Sequence, residues 1–122
     1  MGIDLIMEKK LLFKKPMIVS LGRFNTSYKA LEGTCPPYGK EWFITREQFE
    51  KILVEMELEI EKEENKIKIL VAYCPNKKQD LNDKMEDFEG VMEDLRGLYQ
   101  RASNINCAIQ LIEEGFRAIV SY

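Results

Sequence analysis

Residues 54–61 read "VEMELEIE", and no other stretch restricts the fold as sharply. Val54, Met56, Leu58 and Ile60 alternate with Glu55, Glu57, Glu59 and Glu61, the two-residue period of a strand with one buried and one solvated face. "KIKILVAY" answers with Ile67, Ile69, Val71 and Tyr73 on one face, and "KEEN" lies between as a hairpin connection. Glutamates of one segment would then face lysines of the other. A helix running on from residue 46 is the competing reading, since it aligns Phe49, Ile52, Leu53, Met56 and Ile60. The period-2 match on both sides of one turn favours a hairpin over 54–61 and 66–73.

The remaining elements fall around it. "PMIVSL", 16–21, is an apolar run behind a proline that suits the start of an edge strand, and "WFI", 42–44, is a second short strand. Thr45 and Gln48 form a capping-box pattern ahead of Phe49, Ile52 and Leu53, predicting a short helix over 46–53. After Cys74, "PNKKQDLND" is a polar loop. A helix follows over 81–101, with Met85, Phe88, Met92, Leu95, Leu98 and Tyr99 on a stripe, then another over 104–114 with Ser103 as N-cap. Gly115 ends that helix, and "FRAIVSY" is a final strand. The fold class is α+β: an N-terminal antiparallel sheet with two C-terminal helices, in one domain over 1–122. Residues 1–8 read as a leader that frays, with Met7 as a second start.

Composition narrows the function. At 122 residues and 45% hydrophobic, the chain suits one compact domain. Charged residues make up 32% with a formal net charge of −3, which excludes the broad basic surface of a DNA-coating protein, so no direct DNA binding is expected. No apolar run approaches the roughly 18 residues that span a bilayer, and the start is too acidic for a signal peptide. These features predict a cytoplasmic protein with no membrane partner. Cys35, Cys74 and Cys107 are widely separated, which predicts buried or half-buried free thiols and neither a disulfide framework nor structural zinc. There is no histidine, which removes Ser-His-Asp and Cys-His activation and the commonest general base. No phosphate-binding glycine loop or EF-hand loop is present. The chain is expected to bind and not to catalyse, without cofactor or metal.

Residues 21–43, "LGRFNTSYKALEGTCPPYGKEWF", show neither helical nor strand periodicity. Structureless stretches of this length are usually functional or disordered, and disordered ones are poor in aromatics. This one carries Phe24, Tyr28, Tyr38 and Trp42 beside Arg23, Lys29 and Lys40. Aromatic faces stack on a base while guanidinium and ammonium groups hold phosphate. The candidate ligand site is therefore Arg23, Phe24, Asn25, Tyr28, Lys29, Lys40 and Trp42, and its ligand a phosphate-bearing nucleotide. The competing reading is that the aromatics simply fill the core.

Two acidic runs stand out: six glutamates over 55–64 against Lys62, and seven acids over 80–94 against Lys84. Such runs usually form solvated faces, but they also imitate the phosphates of DNA.

"IVSLGRFN" followed by "GKEWF" resembles the opening of the ArdA antirestriction family, where a strand enters a Leu-Gly-basic-aromatic-Asn turn and then a Gly-x-Trp strand. "EDLRGLYQRAS" is similar to the helix of that family's next segment. The likeness covers about a third of the chain, which interposes "TCPPY" between the first two motifs. It implies a mobile-element protein that occupies the DNA cleft of a restriction enzyme, making a host defence protein the partner. In layout alone, a sheet followed by two helices is similar to the phage Thoeris anti-defence sponges, which dimerise and sequester a cyclic ADP-ribose signal. The two expected roles are thus a nucleotide sponge and, as the alternative, an acidic antirestriction factor. A homodimer is expected in either case, because a small sheet leaves edges to cover.

Overall fold

Leu5 and Met7, read above as part of a frayed leader, are among the most completely buried side chains of the protein. The computed structural model describes residues 3–72 and 78–121. In it β1, Asp4–Lys9, is an inner strand paired on both sides. β2 (Met17–Arg23), β3 (Trp42–Ile44) and β4 (Arg117–Ser121) complete a sheet of order β2-β1-β4-β3, antiparallel throughout. The alternation missed in "DLIMEK" is short but sufficient: Leu5 and Met7 point into the core with Trp42, Ile44, Ala118 and Val120. The strand places of "PMIVSL", "WFI" and "FRAIVSY" are as expected.

The hairpin over 54–61 and 66–73 does not form. Residues 46–72 are one helix, α1 (Arg46–Ala72), and Tyr73 lies outside the described residues. The expected helix over 46–53 is only its first two turns. Burial shows why period two loses. A strand would bury Val54, Met56 and Leu58 alike, yet Met56 is 1% exposed while Val54 and Leu58 are 58% and 64% exposed. From Met56 onward the buried or half-buried residues of α1 are Met56, Ile60, Glu63, Ile67 and Leu70, which step by four and three. No glycine or proline interrupts 46–72, and "KEEN" offers Asn65 to a tight turn but no glycine beside it.

The start of α1 is as the sequence indicates. Thr45 N donates to Gln48 Oε1 at 2.8 Å, and Gln48 N donates to Thr45 Oγ1 at 3.3 Å, a reciprocal capping box. The C-terminal helices expected at 81–101 and 104–114 are a single helix, α2 (Lys78–Glu113). Ser103 is interior to it, and Asn104 Nδ2 donates to Leu21 O at 3.3 Å instead of marking a boundary. Gly115, at φ +99°, ends α2: Phe116 N donates to Leu111 O and Gly115 N to Ile112 O, the paired bonds of a Schellman motif.

The chain divides into two compact units, Met1–Glu55 with Ser103–Tyr122, and Met56–Ala102. The first holds the sheet and the helix ends against it. The second is an antiparallel helical pair, in which Tyr99 on α2 meets Glu64 on α1. Cys35 and Cys107 are exposed, contrary to the burial expected of them, and Cys74 lies outside the described residues.

Candidate functional site

The stretch 21–43 is built by a bulge. Between Asp4 and Ile6 the register of β1 against β2 slips, so that Asp4 faces Arg23 while Ile6 faces Ser20. Gly22, at φ +79°, supplies the left-handed conformation that such a bulge needs. Phe24 N then donates to Ile3 O at 2.8 Å, and the Phe24 ring turns inward to meet Phe49 edge-on at 6.2 Å. Asn25 Oδ1 accepts from Ser27 N and Oγ, closing a local turn. Tyr28 leads into a 3-10 turn, Lys29–Leu31, whose first two N–H groups, on Lys29 and Ala30, donate to the Glu55 carboxylate at 2.8 and 3.1 Å. One glutamate of the first acidic run therefore serves the fold.

Each proposed ligand residue can now be placed. Phe24, Tyr28 and Trp42 are buried with Leu31 in the core, so their faces are not offered as a stacking wall. Arg23, Asn25, Lys29 and Lys40 are exposed. Lys29 lines a hollow of about 450 Å³ with Ala30, Lys51, Val54 and Glu55. Lys40 lines another of about 390 Å³ on the outer side of the sheet, with Tyr38, Glu41, Ile6 and Ile119. Lys29 and Lys40 thus line separate hollows, and of the aromatics Phe24, Tyr28 and Trp42 belong to the core while Tyr38 is exposed beside Lys40.

The acidic runs converge instead. In the unit Met56–Ala102, Glu59 and Glu63 from α1 and Glu93 and Asp94 from α2 line one groove of about 440 Å³, together with Lys62, Gly97, Leu98 and Arg101. Four carboxylates face two cations there. Glu63 Oε1 accepts from Lys66 at 2.8 Å, while its buried Oε2 has no hydrogen-bond partner among the described residues. The sequence holds twelve acidic against eight basic side chains over 56–102, and nine against ten in the remainder. The negative charge is thus concentrated on the helical pair. The hairpin reading hid this, because it placed the two runs on a strand and a helix and gave them no common face.

Among the described residues no group of three or more histidine, cysteine or carboxylate side chains is arranged to hold a metal ion. No helix among them is long and apolar enough to cross a membrane. No protein-family profile, curated protein or solved structure matches the chain.

Proposed function

We propose that the protein is a non-catalytic blocking factor: its acidic helical pair occupies a basic, nucleic-acid-binding surface of a host defence enzyme such as a DNA restriction enzyme. The observation that carries this reading is the convergence of the two acidic runs on one groove, with Glu59 and Glu63 across from Glu93 and Asp94. A concave surface with an excess of one sign of charge, here four carboxylates against Lys62 and Arg101, focuses its field and speeds encounter with a partner of the opposite sign. The local likeness to the ArdA family points in the same direction. The nucleotide-sponge reading draws less support, since Phe24, Tyr28 and Trp42 would have to leave the core to stack on a base.

The test is displacement. Labelled duplex DNA bound to a purified restriction enzyme should be released by the protein, with an effect that weakens as salt rises. A parallel thermal-shift screen against cyclic and linear nucleotides separates the two roles. A nucleotide at about 100 times its dissociation constant would add roughly 2.7 kcal/mol, a shift of several degrees. Release of DNA with no nucleotide shift supports the blocking factor. A nucleotide shift without release supports the sponge.

A further inference from the structure

We propose that the outer face of the sheet is the surface on which two copies of the chain pair, sheet against sheet, about a two-fold axis lying along the strands between β1 and β4. Leu5, Met7 and Val120 are on the buried side of the sheet. The residues that alternate with them form the outer side, and the strand register sorts these into three rows. Arg23, Asp4 and Ser121 lie in the first, and the register of β3 run on by one residue adds Glu41 beside Ser121. Ser20, Ile6, Ile119 and Phe43 lie in the second, and Ile18, Glu8 and Arg117 in the third. The middle row is apolar apart from Ser20. Ile18 and Phe43 are 62% and 43% exposed, and Tyr38, at 95%, shares with Glu41 a hollow lined by Ile6 and Ile119.

The occupant that fits is another copy. The rows carry Arg23 and Arg117 against Asp4, Glu8 and Glu41, a mixture that suits neither nucleic acid nor a partner of one sign. Rotation about the proposed axis exchanges β1 with β4 and β2 with β3 while keeping each row level. Arg23 then meets Glu41 of the other copy, Glu8 meets Arg117, Asp4 meets the neutral Ser121, and Ile6 meets Ile119. No like charges are opposed. Aligned sheets pack in this way about 10 Å apart, with strands crossing at about 30°. Ile18, Phe43 and Tyr38 expose on the order of 400 Å² per copy, and the other side chains of the rows bring this towards the roughly 800 Å² per partner of a stable interface. The sheet edges are poor alternatives. β3 has three residues, and β2 is bulged at its end, both features that blunt an edge. The face belongs to the sheet-bearing unit and the acidic groove to the helical pair, so the pairing does not depend on which partner that groove takes.

Equilibrium sedimentation of the full chain tests it. A mass twice 14.3 kDa is expected at micromolar concentration. Ile119→Glu, in the middle row beside the axis, should give a monomer of unchanged circular dichroism. Arg23→Glu and Glu41→Arg should each weaken dimerisation at least about tenfold, and mixing the two variants should restore it, because each altered residue then meets an opposite charge. β2 and β3 are the two edges of the sheet, so Arg23 and Glu41 of one copy lie three strand spacings, about 14 Å, apart and the rescue arises only between copies. If Ile119→Glu fails to fold, the mixture decides, because it leaves the apolar row intact. A monomeric wild type at every concentration, a dimer that survives Ile119→Glu, or a mixture that associates no more tightly than either variant alone would each overturn the proposal.

Discussion

Gly22 and Tyr99 show how much rests on single positions. A Cβ at Gly22 would meet no atom within 4 Å, so the cost of a substitution there is conformational and not steric packing. Gly22→Val should lower stability by about 1–2 kcal/mol, the penalty for a side chain in left-handed backbone, measured as a shift in chemical denaturation. Tyr99 donates its hydroxyl to Glu64. That hydrogen bond first, then desolvation and the Glu64 charge, hold its pKa above the ordinary 10.0. A phenol whose pKa is raised on folding contributes stability that is fully present below pH 10.0 and is lost as pH climbs through the folded value. Ultraviolet titration should therefore show a late-ionising component that is lost in Tyr99→Phe and moves towards the ordinary range in Glu64→Gln. A Tyr99 that ionises with the other tyrosines would show that the bond to Glu64 is not held in solution.

At the scale of elements, the loop 24–41 and the two helices are held by interactions of very different reach. Glu55 satisfies two N–H groups of the 3-10 turn from 25 or more residues away, so Glu55→Ala should cost about 1–3 kcal/mol and Glu55→Gln less, because an amide oxygen still accepts. Gly90 sits inside α2 with open space around its missing Cβ, and Gly90→Ala should stabilise by about 0.5–1 kcal/mol in thermal unfolding. Where a signal was local, the sequence displayed it: the Thr45–Gln48 capping box, the Gly115 stop and the β-rich runs all lie where they were expected. The hairpin over 54–73 failed because alternation and helical spacing coexist in the same residues, and only tertiary burial chooses Met56 over Leu58. β1 was missed because its status as an inner strand depends on partners more than 100 residues apart in the chain. The aromatics of 21–43 offered the same chemistry to a ligand or to a core, and the bulge at Gly22, invisible in composition, turns Phe24 inward.

For the molecule as a whole, the account rests on charge being sorted by unit: acids gather on the helical pair, while the sheet-bearing unit is nearly balanced. The groove between α1 and α2 was only half legible in the sequence. Both acidic runs were visible, but their meeting required the continuous α1 that periodicity argued against. The most direct measurement is the displacement of labelled duplex DNA from a restriction enzyme by wild type, by Glu59→Lys with Glu93→Lys, and by Arg23→Glu. The four groove carboxylates predict that the double reversal weakens displacement at least about tenfold, a loss of roughly 1.4 kcal/mol or more, while Arg23→Glu leaves it unchanged. Equal displacement by wild type and the Glu59, Glu93 variant, or a loss confined to Arg23→Glu, would contradict the acidic groove as the working surface.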